Sequence, residues 1–149
     1  MRFVFTCGGT AGHINPAIAV AGRLRELMPD CEILFLGAEG KMEMQLVPME
    51  GYEIRPLKIT NIRRGLSPKA LMHNIKTVKN VAASIRETKK ILKDFKPDAV
   101  IGTGGYVCYP VLKAASELPA AFLFERLYRK IGSQKVLLIG VAFMIVKPI

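Results

Sequence analysis

Short apolar runs alternate with longer amphipathic stretches along this chain, and the alternation predicts an α/β fold. The apolar runs predict four strands, at Arg2–Cys7, Glu32–Gly37, Tyr52–Leu57 and Ala99–Gly102. The stretches between them repeat apolar residues at the spacing of an amphipathic helix. Because strands and helices alternate with short connections, we expect one parallel sheet with helices on both faces.

The helical pattern predicts four helices. The first follows a loop over Gly8–Asn15, with Pro16 in its first turn, because proline suits that position. The third is long, opens at Ser67-Pro68 and runs to about Lys93. Its predicted apolar face consists of Leu71, Ile75, Val78, Ala82 and Ile85. The second and fourth predicted helices are Lys41–Met49 and Pro110–Glu117.

Two glycine-rich segments each follow a predicted strand and precede a predicted helix. The first reads Cys7-Gly8-Gly9-Thr10-Ala11-Gly12-His13-Ile14-Asn15-Pro16, and the second reads Gly102-Thr103-Gly104-Gly105-Tyr106. In open parallel sheets, ligands bind where the carboxyl ends of the strands meet. We therefore expect the two loops to lie together at one edge and to form the binding site.

The residue types of the first loop suit acid–base chemistry on an anionic ligand. Gly8 and Gly9 let a ligand approach the backbone closely, and amides at a helix start suit a phosphate. Thr10 offers a hydroxyl, and His13 can accept a proton from a hydroxyl nucleophile. The spacing matches neither the dinucleotide fingerprint nor the Walker loop. The alternative is structural: tight turns that require positive backbone angles, with a histidine capping a helix.

The positive charge is concentrated in one window. The net charge is +10, and the segment from Arg55 to Lys96 holds 12 basic and two acidic residues, which is also +10. Such a face favours an anionic partner: nucleic acid, an acidic lipid surface or a phosphorylated substrate. Aromatic residues for base stacking are absent between Arg55 and Phe95, so lipid is favoured over nucleic acid. A simply solvated helix face is the alternative.

Composition narrows the class further. At roughly 100–200 residues per domain, 149 residues form one domain, and 50% apolar residues suffice for a core. The three cysteines form no C-x-x-C pair, which argues against a metal site and suits a reducing cytoplasm. We expect Cys7 and Cys108 to be small core residues. The longest apolar run, Val136–Val146, is too short for a membrane span of about 20 residues.

The motifs of residues 2–117 resemble the MurG family of N-acetylglucosaminyltransferases in order, spacing and identity. The matching motifs are Gly8-Gly9-Thr10-x-Gly12-His13-x-x-Pro16, Gly37-x-x-x-x-Met42-Glu43, Leu46-Val47-Pro48, Gly51-Tyr52, Arg63-Arg64-Gly65, Lys96-Pro97-Asp98 and Gly102-x-Gly104-Gly105-Tyr106-Val107. The resemblance implies a Rossmann-like parallel sheet that forms the N-terminal, acceptor-binding half of a two-domain GT-B glycosyltransferase.

The resemblance also implies an activity and its partners. The family transfers GlcNAc from UDP-GlcNAc to the 4-hydroxyl of MurNAc in lipid I, with inversion, to make the peptidoglycan precursor lipid II. It implies no metal, no other cofactor and no nucleic acid. It further implies a peripheral location on the cytoplasmic face of the bacterial cell membrane, against the anionic inner leaflet.

Site residues carry over from the family by position. His13 becomes the catalytic base or an organiser of the acceptor. The other substrate-binding positions are Gly8, Gly9, Thr10, Ala11, Gly12 and Asn15 in the first loop and Gly104, Gly105 and Tyr106 at the acceptor pyrophosphate. Ala11 stands where the family commonly has glycine. The basic window, rather than a family motif, supplies the predicted membrane-facing positions, which are Arg63, Arg64, Lys69, Lys76 and Lys79.

Residues 118–149 depart from the family pattern. The family continues with Gly-Ile-Pro and then His-Glu-x-Asn, whereas this chain has Leu118-Pro119-Ala120 and no such motif. We expect a divergent tail, truncated or frameshifted, and a missing donor-binding domain, so that this half is inactive alone. Two other functions stay open: a non-catalytic membrane-docking subunit of a split glycosyltransferase, and a basic nucleic-acid-binding domain.

Overall fold

The fold alternates strands and helices as the sequence predicts. The computed structural model describes residues 1–59 and 68–118, and it describes the side chains of the third helix from residue 80 onwards. The elements in chain order are β1 (Arg2–Cys7), α1 (Ala11–Leu27), β2 (Glu32–Ala38), α2 (Glu43–Met49), β3 (Glu53–Leu57), α3 (Pro68–Phe95), β4 (Ala99–Gly104) and α4 (Cys108–Ser116).

The four strands form one parallel sheet in the order β3-β2-β1-β4. Phe5 on the central β1 pairs with Phe35 on β2 and with Ile101 on β4. The predicted parallel sheet is therefore confirmed. The strand ends differ slightly from the prediction, since β2 extends to Ala38 and β4 extends to Gly104.

Each face of the sheet carries its own hydrophobic core, because successive side chains of a strand point to opposite faces. Phe3 and Phe5 pack with α1 and α2, and the Phe5 ring stacks on Phe35 at 5.1 Å between centroids. Val4 lies in the other core, with residues of α3 and α4. Both faces are thus covered, as the strand–helix alternation predicts.

The first helix begins five residues earlier than the prediction. It starts at Ala11, so the predicted loop over Gly8–Asn15 is wrong and Pro16 lies inside α1. Thr10 is the N-cap residue, with extended backbone angles. Pro16 is the sixth residue of α1, beyond the first turn whose amides have no intrahelical partner, so it removes the i→i−4 hydrogen bond that another residue would donate to Gly12. Because α1 starts at Ala11, His13 belongs to a helical turn rather than to a glycine loop.

The buried face of α3 also differs from the prediction. Ala82 is exposed, whereas Ser84 and Thr88 are buried in line with Leu92. Burial of Ser84 is favourable because its hydroxyl donates to the carbonyl oxygens of Lys58 and Asn80, at 3.0 and 2.8 Å. Ile85 packs against the same core, as predicted. The other predicted positions of this face, Leu71, Ile75 and Val78, lie outside the described side chains.

Candidate functional site

The two glycine loops lie together at the carboxyl edge of the sheet. The Gly8 amide donates to the carbonyl oxygen of Gly104 at 3.3 Å, which links the end of β1 to the end of β4. Gly105 approaches so closely that a methyl group there would overlap the Gly8 carbonyl oxygen. The juxtaposition predicted from strand order is therefore confirmed, and the contact is backbone against backbone.

His13 joins this contact from the first turn of α1. Its carbonyl oxygen accepts a hydrogen bond of 2.6 Å from the Thr103 hydroxyl. Its ring lies over Gly104, where an added Cβ would stand 2.5 Å from Nδ1. Gly104 has a φ of +126° and no side chain, so the backbone provides the flat surface on which the imidazole rests. The ring is half-buried, which leaves part of it open to a ligand.

The other predicted ligand-binding residues surround this histidine. Gly9, Thr10, Gly12 and Asn15 are exposed at the start of α1, and Ala11 among them is half-buried. These residues therefore form an accessible rim above the contact between the loops.

Tyr106 forms the other side of the accessible rim above the contact between the loops. Its ring edge lies 3.8 Å from the position that a Cβ on Gly9 would occupy. Burial, and secondarily the charge of Glu43, raises the pKa of the Tyr106 hydroxyl. Tyr106 therefore stays a neutral hydrogen-bond donor around neutral pH.

The backbone amides of the two paired glycines, Gly8 and Gly9, are already occupied. The Gly8 amide bonds to Gly104, and the Gly9 amide donates to Glu43 Oε2 at 3.2 Å. The amides at the start of α1, which have no partner inside the helix, stay the predicted position for an anion in the first loop.

Glu43 is the site residue to which sequence analysis assigned no role. It is fully buried at the start of α2, and its Oε1 accepts a hydrogen bond of 2.9 Å from the Ala38 amide. Charged residues are almost never fully buried without partners, so the buried Glu43 carboxylate is expected to have specific hydrogen-bond partners. In the sequence Glu43 belongs to the motif Gly37-x-x-x-x-Met42-Glu43, but a glutamate at a helix start is ordinarily exposed to solvent, so the motif alone does not indicate burial.

The thiols beneath the loops are packing residues, as predicted. Burial raises the pKa of Cys7 to about 12, with smaller contributions from Cys108 and Glu43. Burial also raises the pKa of Cys108, whose Sγ lies 2.9 Å from the carbonyl oxygen of Gly104. A nucleophilic cysteine needs a lowered pKa, so neither thiol is a nucleophile.

The remaining predicted positions lie largely outside the described part of the chain. Arg63 and Arg64 fall between residues 59 and 68, and the side chains of Lys69, Lys76 and Lys79 precede residue 80. The proposed tail is described only at Leu118, so a boundary at residue 117 stays a prediction. Among the described helices, none is long and apolar enough to cross a membrane.

The sheet order and the paired loops define a Rossmann-like α/β domain with its ligand site at the carboxyl edge. The chain belongs to glycosyltransferase family 28, since the sequence model described as "Glycosyltransferase family 28 N-terminal domain" matches residues 3–135. That match extends beyond residue 117, into the segment for which we expect divergence.

Similar proteins carry one shared name, UDP-N-acetylglucosamine–N-acetylmuramyl-(pentapeptide) pyrophosphoryl-undecaprenol N-acetylglucosamine transferase. The one from Alkaliphilus oremlandii is 47% identical over 118 residues, which cover 79% of this chain and 31% of the relative. The one from Cytophaga hutchinsonii is 43% identical over 148 residues, which cover 95% of this chain and 39% of the relative. The chain thus spans about a third of the length of these relatives.

The solved structure of Acinetobacter baumannii MurG has the same fold. It superposes with a TM-score of 0.62 at 28% identity, over 76% of this chain and 32% of that protein. The predicted fold class is confirmed: a Rossmann-like parallel sheet that forms the N-terminal half of a GT-B glycosyltransferase.

Proposed function

We propose that this chain supplies the acceptor-binding half of an inverting N-acetylglucosaminyltransferase. The complete enzyme transfers GlcNAc from UDP-GlcNAc to the 4-hydroxyl of MurNAc in lipid I. The names of the relatives support this reaction, with 47% identity over the 118 matched residues in the Alkaliphilus oremlandii relative. The observation that carries the proposal is the half-buried imidazole of His13, which rests on Gly104 between the two glycine loops.

In this proposal His13 acts as the general base. The imidazole takes the proton of the acceptor 4-hydroxyl while that oxygen attacks the anomeric carbon of GlcNAc. The bond from the anomeric carbon to the UDP oxygen breaks, and UDP leaves with the electron pair. A positioned base contributes about 10²–10⁴ to the rate. The bond from Thr103 to the His13 carbonyl holds this turn of α1 against β4.

The rim residues bind the two substrates on either side of His13. Gly104, Gly105 and Tyr106 hold the pyrophosphate of the acceptor. Thr10, Ala11 and Gly12 contact the donor across the cleft, and Gly8, Gly9 and Asn15 complete the loop. Because UDP-GlcNAc binds largely to a second domain, we expect the 149-residue chain to bind acceptor and to show no turnover alone.

In this proposal the chain binds its lipid acceptor at the membrane surface. The described part of α3 exposes Arg86, Lys90 and Lys93, whereas Lys89 forms an ion pair with Glu117. We expect them to act together with the predicted membrane-facing residues Arg63, Arg64, Lys69, Lys76 and Lys79. Each such residue near an anionic leaflet contributes about 1 kcal/mol, so several suffice for reversible peripheral binding at the cytoplasmic face.

A chimaera tests the proposed reaction. Residues 1–117 of this chain are joined to the remainder of the Alkaliphilus oremlandii relative, and transfer of labelled GlcNAc to a soluble lipid I analogue is measured. We expect activity, and a loss of about 10²–10⁴ in kcat for His13→Ala with a smaller change in the KM for UDP-GlcNAc. The control is Glu26→Gln, an exposed residue at the far end of α1.

Two results would count against the proposal. An inactive wild-type chimaera that is folded would contradict the acceptor role. An active chimaera in which His13→Ala retains near-normal turnover would contradict the base assignment and favour a histidine that only shapes the turn.

A further inference from the structure

Glu43 lies directly behind the first glycine loop. It is the first residue of α2, which follows β2, and its side chain reaches back towards the end of β1. Oε1 accepts the Ala38 amide at 2.9 Å and Oε2 accepts the Gly9 amide at 3.2 Å. One buried carboxylate therefore joins the ends of two strands.

Two glycines make room for this carboxylate. A Cβ on Gly8 would overlap Glu43 Oε1, and a Cβ on Gly37 would stand 2.6 Å from Glu43 Cγ. Both glycines have ordinary backbone angles, so the space for Glu43 is what each of them provides. The sequence thus contributes three residues to one arrangement: two without side chains and one with a carboxylate between them.

Two backbone amides hold the carboxylate. Among the described side chains, those of residues 1–59 and 80–118, no Lys, Arg or His forms an ion pair with Glu43. Each of its two oxygens accepts one backbone amide. Its charge also helps to raise the pKa of Cys7 and of Tyr106, so its field extends under both loops.

We propose that Glu43 is a positioning residue for acceptor binding, because its bond to the Gly9 amide fixes the loop that leads into α1. Gly9 has a φ of +89° and is exposed, so few other contacts hold its conformation. The next four residues lead to His13, so the angle at Gly9 sets where Thr10 and His13 stand. This inference rests on the proposed function.

Glu43→Gln separates positioning from simple packing. Glutamine has the same shape but only one acceptor oxygen, so it can satisfy only one of the two amides. The Ala38 bond is shorter and fully buried, so we expect glutamine to keep it and to release Gly9. Glu50→Gln is the matched control, since Glu50 is exposed at the other end of α2.

The first measurement is amide hydrogen exchange by NMR on the 149-residue chain. We expect the Gly9 amide to exchange about tenfold or more faster in Glu43→Gln, while the Ala38 amide and the Glu50→Gln variant keep wild-type rates. The second is binding of a soluble lipid I analogue, for which we expect affinity to fall about tenfold in Glu43→Gln and not in Glu50→Gln. A purely structural role would lower the melting temperature and leave affinity unchanged at 15 °C.

If Glu43→Gln does not fold, Gly9→Ala tests the same conformation, since it strains a positive φ while its Cβ would be in ordinary contact with the Tyr106 ring edge at 3.8 Å. It should weaken acceptor binding by a similar factor. Unchanged Gly9 exchange or unchanged affinity in Glu43→Gln would overturn the inference, as would wild-type affinity in Gly9→Ala. If the wild-type chain fails to bind the analogue, the proposed function is wrong, and so is the inferred effect of Glu43 on acceptor affinity. Gly9 exchange then still shows whether the hydrogen bond exists.

Discussion

Glycines with positive φ occur in two different settings in this domain. Gly40 and Gly51 form turns, and a Cβ at either would meet no atom within 4 Å in the described part of the chain. Gly104 and Gly105 lie at the carboxyl edge, where a Cβ would meet the His13 ring or the Gly8 carbonyl. Gly40 and Gly51 only reverse the direction of the chain. Gly104 and Gly105, in contrast, allow the two glycine loops and the His13 ring to pack in direct contact. The glycines of the site are therefore distinguished from those of the turns by the atoms that a Cβ would meet, and not by their positive φ.

Replacing a glycine in each setting gives the largest expected contrast. Gly105→Ala adds a methyl group that overlaps backbone at a φ of +92°, so the loops must separate. We expect the free energy of unfolding to fall by about 3 kcal/mol or more, from strain and overpacking together. Gly51→Ala, at a φ of +75° in open space, should lose only about 1 kcal/mol. Urea denaturation measures both, and equal losses would contradict the distinction.

The pH dependence of stability gives a second comparison of the same kind. It contrasts Cys7, which lies under the packed edge, with Cys31, which lies away from it. The pKa of Cys7 is raised from 9.0 to about 12 in the folded state. Its contribution to stability is therefore complete below pH 9 and is lost as the pH rises towards 12. The difference in unfolding free energy between wild type and Cys7→Ala should shrink by about 1 kcal/mol per pH unit above pH 9.

Cys31, half-buried just before β2, supplies the control for this measurement. Burial raises its pKa too, while the N-terminus and Arg25 lower it. Cys31→Ala should therefore change less with pH than Cys7→Ala. A Cys7→Ala difference that stays constant from pH 8 to pH 10.5 would show that Cys7 is not held as a buried thiol.

The smallest effect we predict is a coupling between Gly104 and His13. In Gly104→Ala the new methyl group meets the imidazole, which can swing away more easily than backbone can. A double-mutant cycle with His13→Ala should give a coupling energy of about 1 kcal/mol, because the clash disappears once the ring is removed. Additive losses would mean that the ring does not rest on Gly104 in solution.

The sequence was sufficient to predict the strands and the edge at which they meet. Apolar runs such as Arg2–Cys7 report burial directly, and parallel strands place both glycine loops at one edge by topology alone. The start of α1 lies earlier than the proline indicates, because Pro16 is inside the helix and Thr10 occupies the N-cap position. Periodicity does not indicate the burial of Ser84, because it does not show the carbonyl partners of the Ser84 hydroxyl.

Glu43 illustrates what a single sequence does not reveal. Its partners are the amides of Gly9 and Ala38, and backbone amides are present at every position except proline. Nothing in the residue types therefore marks this glutamate as buried. The space left by Gly8 and Gly37 becomes visible only when β1 and β2 are placed side by side.

Binding of the acceptor to the 149-residue chain tests the central claim most directly. A soluble lipid I analogue is titrated into the labelled chain, with UDP-GlcNAc as the comparison ligand, and backbone amide shifts are followed by NMR. The account predicts saturable binding of the analogue, with the largest shifts within Gly8–His13 and Gly104–Tyr106, and little response to UDP-GlcNAc. No binding of the analogue, or shifts centred on the turns at Gly40 and Gly51, would contradict the acceptor site proposed at this edge.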